Sequence, residues 1–345
     1  MASYEEAVVG CLPLTVGYRW PLVMNEIPFS KLHGLGNDFI VSSGADVGLS
    51  RRGADPSSTG RLGRLARAIC DRRTGVGADG FLVVLAPQRR ENNARVRFFN
   101  ADGSEAEMSG NGIRCAAAYY LERAGRRPAL MPGRGTACRT LPHTLEQRVG
   151  QALPLPLRLE TAAGVKSVRL VKRRSGEWVF RVGMGRPILN PEEIPFGAVD
   201  VVAPVVGFLL GTAHGTIPVT VTSMGNPHCS TFVQNFDAVD WRTVGIEIED
   251  SKLFPRRTNV EFVKVHSRNR IEVRFWERGV GQTASSGTGS CAAVVACVLN
   301  GLTDRKVRVC TLAGILEVSW PKNGEVTLTG PVELISQGVY FCRTM

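Results

Sequence analysis

Two short segments of this chain repeat one another. Ser109-Gly110-Asn111-Gly112 runs into Ile113-Arg114-Cys115-Ala116-Ala117-Ala118, and Ser286-Gly287-Thr288-Gly289 runs into Ser290-Cys291-Ala292-Ala293. Each reads as a glycine-rich turn opening an apolar helix, and the two serines lie 177 residues apart, about the length of one domain. A duplicated turn and helix restricts the fold to two similar halves that bring their turns to one site. At 345 residues the chain exceeds what one core usually serves, which also favours two domains.

The flanking sequence supplies sheets. Runs at 29–32, 39–42, 81–85, 96–99, 165–171, 178–182, 219–222, 260–265, 271–276, 307–311, 315–320 and 326–329 are rich in β-branched and aromatic residues and are expected to be strands. An amphipathic helix is expected over 61–71, and helices that are apolar nearly all round over 112–124 and 289–299. Strand, glycine turn and buried helix occur in that order once per half. The expected class is therefore α+β, with two similar domains, each a β-sheet wrapped around a central helix. The expected division is an N-terminal extension over 1–27, a first domain over 28–159 with an insertion at about 128–156, a second domain over 160–333, and a last strand at 334–345 returning to the first domain.

Composition narrows the function. The chain is 43% hydrophobic and 21% charged, as in soluble globular proteins, and has no apolar run long enough to span a bilayer. Glu5 and Glu6 stand where a secretory leader would carry basic residues, and nine cysteines are scattered without a CxxC pair. A cytoplasmic chain with reduced thiols is expected, with no zinc-type spacing and no metal. The net charge of +11 comes mostly from dispersed arginines without an aromatic RNA-binding signature, so it reads as a solvated surface and not a nucleic-acid face. It also suits an anionic small molecule.

Neither glycine motif reads as a dinucleotide site. Gly75-Val76-Gly77-Ala78-Asp79-Gly80 follows a helix and precedes a strand, the reverse of the order needed. Gly287-Thr288-Gly289-Ser290-Cys291-Ala292 opens a helix, but no acid ends the following strand. Backbone N–H groups at a helix N-terminus suit a carboxylate equally well.

Six ordered motifs then carry a resemblance. Phe29-Ser30-Lys31-Leu32-His33-Gly34-Leu35-Gly36-Asn37-Asp38-Phe39, Asp71-Arg72-Arg73-Thr74-Gly75-Val76-Gly77-Ala78-Asp79 and Phe99-Asn100-Ala101-Asp102-Gly103-Ser104-Glu105 lie in the first half. Ser223-Met224-Gly225-Asn226-Pro227-His228-Cys229, Arg257-Thr258-Asn259-Val260 and Glu277-Arg278-Gly279-Val280-Gly281 lie in the second. From about residue 28 to its C-terminus the chain resembles the diaminopimelate epimerase family. The resemblance implies two sheet-wrapped domains with the active site in the cleft between them. It implies cofactor-independent epimerisation of LL-diaminopimelate to the meso form, in lysine and cell-wall synthesis. Homodimers occur in the family. Two cysteines, one per domain, work there as thiolate base and thiol acid on opposite faces of the substrate α-carbon.

Carried over by motif, Asn37, Asn100, Asn226, Asn259 and Arg278 fall at the family's positions for the distal end of the diamino dicarboxylate. Asn offers donor and acceptor, and Arg can take a carboxylate in two bonds. Glu277 can accept from the α-ammonium, while Gly110-Asn111 and Gly287-Thr288 would hold the α-carboxylate at two helix N-termini. His33 and His228 read as loop-ordering residues, and Cys115 and Cys291 as packed core thiols.

The chain departs from the family where the proton moves: Ser109 and Ser286 occupy both catalytic cysteine positions. A thiol titrates near pH ~8.5, and a serine hydroxyl lies several units above it unless a neighbouring base activates it. No histidine flanks either serine in sequence, so proton abstraction is expected to be crippled. Alternatives are a non-catalytic amino-acid-binding relative or partner protein, and an isomerase of the wider family with another base and substrate. Gly80 and Gln282 are smaller departures, at positions where the family commonly has glutamine and glutamate.

Overall fold

The computed structural model describes residues 24–49, 57–125, 156–213, 215–322 and 324–343. Residues 1–23 of the expected extension and 128–155 of the insertion lie outside the described residues, whereas 24–27 belong to the first strand.

One order of elements occurs twice. The first half runs β1 (Met24–Gly34), β2 (Asn37–Ser43), α1 (Ser57–Cys70), β3 (Gly80–Leu85), β4 (Ala94–Asn100), β5 (Glu105–Ala106), α2 (Gly110–Gly125), β6 (Leu157–Thr161), β7 (Gly164–Arg174) and β8 (Glu177–Gly185). After β9 (Phe208–Thr212) the second runs β10 (Gly215–Ser223), β11 (Pro227–Phe232), α3 (Trp241–Glu249), β12 (Asn259–Ser267), β13 (Arg270–Glu277), β14 (Gly281–Thr283), α4 (Gly287–Leu299), β15 (Lys306–Thr311), β16 (Gly314–Ser319) and β17 (Val326–Arg343). The pairing repeats as well. β2 lies parallel to β3 as β11 does to β12, and β4 parallel to β6 as β13 does to β15.

The first sheet closes on itself in the order β1, β2, β3, β4, β6, β7, β8, β17. The second runs β10, β11, β12, β13, β15, β16, β17 and is closed by paired bonds between Ile188, just beyond β8, and Ser223. β17 serves both rings: Thr327–Thr329 face β16, Val326–Glu333 face β8, and Glu333–Arg343 face β1. Pro331, which has no N–H to give a ladder, falls between the last partner on β16 and the first on β1, where that edge needs none. The expected 159/160 boundary cuts β6, and by hydrogen bonding the first ring extends to Gly185.

A helix fills each ring. Ile113 and Cys115–Ala118 of α2, and Cys291–Cys297 of α4, are buried, as a helix with no polar face requires. The small side chains let the strands close in around them. α4 ends at Asn300, whose N–H bonds the Ala296 and Val298 carbonyls, and at Gly301 with φ +69°. Outside the rings, α1 packs Leu62, Leu65 and Ile69 on β2 and β3, and α3 packs Trp241, Val244 and Ile248 on β10 and β12. α3 is a helix the strand-rich reading did not include. Asp240 caps it, and Gly245 sits inside it because a Cβ there would stand 2.8 Å from the Trp276 ring. None of the described helices is long and apolar enough to cross a membrane.

Candidate active site

α2 and α4 begin at the same place. A Cβ on Gly110 would lie 3.2 Å from the Gly287 Cα, and one on Gly287 3.1 Å from the Gly110 Cα. Only glycine allows two helix N-termini to converge this closely, so their positive ends add in one volume. Two further glycines seat the turns. A Cβ on Gly112 would meet the Phe98 ring at 3.1 Å, and one on Gly289 the Phe275 ring at 2.9 Å.

The serines flank this contact and cap their helices. The Ser109 hydroxyl accepts from the Gly112 N–H at 3.1 Å, and the Ser286 hydroxyl from the Gly289 N–H at 3.3 Å. Serine is among the strongest N-caps, so each residue has a structural task besides any chemistry. A hydroxyl that accepts from a backbone N–H still has its proton to give. Ser286 lies beside Glu277. Burial pushes the Glu277 carboxyl up from its ordinary value, while hydrogen bonding by Thr283 and Ser286 and the charge of His228 pull the other way. The carboxyl is therefore more basic than an exposed one and sits next to the hydroxyl it could deprotonate. In the first half the counterpart of Glu277 at the same 177-residue offset is Asn100, whose Nδ2 donates to the Ser104 hydroxyl at 2.9 Å.

The remaining sequence-derived residues gather around the turns in two groups. In the first half, buried Asn111 donates to the Asn37 Oδ1 at 3.2 Å. In the second, Asn259 donates to the Pro227 carbonyl at 2.9 Å and accepts from the Arg278 N–H at 3.0 Å, fixing the start of the Glu277–Arg278 turn. Arg278 is exposed, with one bond to the Arg256 carbonyl at 2.9 Å, and Thr288 is half-buried. Asn226 receives His228 Nε2 at 3.0 Å, and the imidazole Nδ1 lies 2.6 Å from Glu261. His228 and Glu261 are both buried, and Ser230 donates to the other Glu261 oxygen at 3.0 Å. His33 orders its own turn, accepting from the Gly36 N–H at 3.2 Å.

The thiols that follow the two turns are packed inside their helices. Cys115 and Cys291 are fully buried, and burial pushes the Cys115 thiol up to about 12 and Cys291 higher still. Of the two smaller departures only Gly80 meets a packing constraint, since a glutamate at 282 would accept from Arg242 as Gln282 does. A Cβ at Gly80 would meet the Phe99 carbonyl at 2.8 Å, and exposed Gln282 accepts from Arg242 at 2.8 Å. Sequence reasoning missed Thr283, Glu261, Asp79 and Arg114. Of these only Arg114 left a local signal, three residues beyond Asn111 on the same helix face. Among the described residues, no group of three His, Cys, Asp or Glu side chains could hold a metal ion.

Comparison with known proteins gives this geometry a lineage. The family model described as diaminopimelate epimerase matches residues 29–135 and 220–335. A diaminopimelate epimerase of Pelotomaculum thermopropionicum is 42% identical over 92% of this chain and 99% of that protein. One from Desulforudis audaxviator is 43% identical over 90% of this chain and 98% of that one. The chain belongs to the diaminopimelate epimerase family. The fold reaches further: a crystal structure of a hydroxyproline epimerase from Agrobacterium vitis, with trans-4-hydroxy-L-proline bound, superposes with a TM-score of 0.62 at 13% identity, covering 94% of each chain. The α+β class with two sheet-wrapped helices is that of the diaminopimelate epimerase and proline racemase fold.

Proposed function

We propose that this protein binds LL-diaminopimelate in the cleft between its two halves and interconverts it with the meso form without a cofactor. Such a product feeds lysine and cell-wall synthesis. The convergence of the two serine-capped helix N-termini at Gly110 and Gly287 carries this reading. Their N–H groups offer a site for the α-carboxylate and for the charge that develops on it as the α-proton leaves. Asn37, Asn100, Asn226, Asn259 and Arg278 bind the distal ammonium and carboxylate, and Asn111 and Thr288 border the α-carboxylate.

On the Ser286 face, the Cα–H bond breaks and its proton passes to the Ser286 oxygen while the hydroxyl proton passes to Glu277. The electron pair spreads into the α-carboxylate. On the opposite face the Ser109 hydroxyl gives its proton to the α-carbon, then regains one from water as Glu277 releases its own. By microscopic reversibility the meso form retraces these steps. An alcohol is a poorer acid than a thiol by several units, so turnover is slow beside a cysteine pair. The test is chiral separation of the diaminopimelate isomers after long incubation at high protein concentration. Formation of the meso isomer supports the reading, and an unchanged LL form at equilibrium-scale times refutes it.

The capping bonds favour one second reading. Both hydroxyls are already employed in holding helix ends, and an amino-acid-binding relative without turnover needs nothing more from them. That reading gives calorimetric binding of diaminopimelate with no isomer formed. A homodimer accords with the exposed apolar row Ile335, Val339 and Phe341 on β17, and sedimentation equilibrium tests it.

A further inference from the structure

Arg114 is a buried cation without a counter-charge. Its side chain is fully buried, its Nε has no partner, and no described carboxylate pairs with it. Desolvation lowers it to about 10, so it stays protonated at neutral pH. Isolated buried charge is costly and is usually replaced or paired. Here the fold builds a slot for it: a Cβ on Gly34 would stand 3.0 Å from one guanidinium nitrogen, and one on Gly330 3.2 Å from the guanidinium carbon. The two bonds it makes both reach the α2 turn. Nη1 donates to the Gly110 carbonyl at 3.0 Å and Nη2 to the Asn111 Oδ1 at 2.8 Å.

From Arg114 a chain of bonds runs outward. Asn111 Nδ2 donates to Asn37 Oδ1 at 3.2 Å, and Asn37 Nδ2 donates to Asp79 Oδ2 at 2.8 Å. Asp79 also accepts from Arg72 at 2.8 Å and from the Asp38 N–H at 3.1 Å, so the carboxylate is itself held. The two ends of this chain have opposite and unchangeable chemistry. A guanidinium can only donate, and a carboxylate can only accept. A primary amide placed between neutral partners can turn over and exchange its oxygen for its nitrogen. Between these ends neither Asn111 nor Asn37 can, because reversing either one would set donor against donor or acceptor against acceptor. Each amide is left with one N–H and one oxygen lone pair free, in a fixed direction.

We propose that Arg114 and Asp79 are positioning residues that polarise the Asn111–Asn37 pair and so fix which way these amides present donors and acceptors to a diamino dicarboxylate. The ligand half of this inference rests on the reading of the cleft given above. The second half of the molecule lacks the device. At the 177-residue offset the counterpart of Arg114 is Cys291, and Asn226 is held by His228 instead. The pinned pair therefore distinguishes the lining supplied by the first half from that supplied by the second.

Two measurements test it. In isotope-labelled, ligand-free protein, the side-chain NH₂ signals of Asn37 and Asn111 are followed in wild type, Arg114→Gln, Arg114→Lys and Asp79→Asn. Each neutral variant should move both amides, including the one it does not touch, and leave Asn226 and Asn259 in place. Shifts confined to the directly bonded neighbour overturn the chain. In the second measurement, calorimetry with LL-diaminopimelate should show affinity falling about tenfold or more in Arg114→Gln and Asp79→Asn, the loss expected when a hydrogen bond to a charged ligand is misdirected. Arg114→Lys, still donor-only, should recover most of it at a similar melting temperature. Affinity that follows melting temperature, or is unmoved, overturns the positioning role. Wild-type protein that binds no diaminopimelate overturns the functional reading, and the ligand-free spectra still decide whether the amides are coupled.

Discussion

The two halves share one order of elements and differ beside their serine caps. At the 177-residue offset, Phe98 corresponds to Phe275, Gly112 to Gly289, and Ser109 to Ser286 as helix caps. Asn100 and Ala106 of the first half, however, become Glu277 and Thr283 of the second. The Thr283 hydroxyl donates a hydrogen bond to Glu277, and Ala106 has no donor to offer Asn100. One face of the cleft thus carries a titratable group beside its serine, and the other carries an amide. The repeated frame holds a carboxyl beside one serine cap and, at the matching position of the other half, an amide.

The comparison can be pressed by mutation. Restoring sulfur at both positions, Ser109→Cys with Ser286→Cys, should have the largest effect. If the rest of the cleft is competent, isomer interconversion rises by about three orders of magnitude or more, since each unit of acidity is worth about tenfold. No gain would mean that the surroundings have diverged along with the sulfurs.

Removing the base support is next. Glu277→Gln should lower turnover at saturating substrate by about a hundredfold, the usual scale of general-base loss, whereas Asn100→Ala should mainly raise KM. Equal effects at the two positions would erase the distinction between the faces. The pH response follows from the sign of the Glu277 shift. Its carboxyl is raised in the folded protein, so the base form appears only as pH rises through that raised value, and turnover should climb over the same window. Folding stability should move oppositely. A raised folded-state value makes a contribution that is present at low pH and lost as pH rises through it, and Glu277→Gln should remove that slope in denaturant melts.

Smaller effects concern the frame. Gly110→Ala or Gly287→Ala drives a methyl into the facing turn and should cost about 1–3 kcal/mol in either half. Ser109→Ala and Ser286→Ala should each cost about 1 kcal/mol through the lost cap. Equal losses at paired positions would confirm a symmetric frame beneath an asymmetric site, and unequal ones would locate the asymmetry deeper.

Much of this frame was legible in the chain. The duplicated serine turns, the two apolar helices and most strands stand where periodicity put them, because those segments bury on all sides or alternate cleanly. α3 was not legible: Thr243, Val244, Ile246 and Ile248 are β-branched, and the helix exists because its apolar stripe packs on a distant sheet. β17 read as two pieces because Gly330-Pro331 looks like a break, and only its partners reveal why proline is tolerated there. At the site, residue types came from motifs, but their relations did not. The contact of Gly110 with Gly287, the nearness of Glu277 to Ser286, and the bond from Asn37 to Asp79 all join residues far apart in sequence or on different elements. The caps and the Asn111–Arg114 bond are local, at helical spacing, and were within reach.

The most direct test of a proton-moving cleft with one supported serine is exchange at the substrate α-carbon in D₂O, followed by proton NMR. Wild-type protein should show slow loss of the α-proton signal, Glu277→Gln loss near background, and the double cysteine variant fast loss. Wild-type exchange no faster than in buffer, or undiminished by Glu277→Gln, would contradict this chemistry.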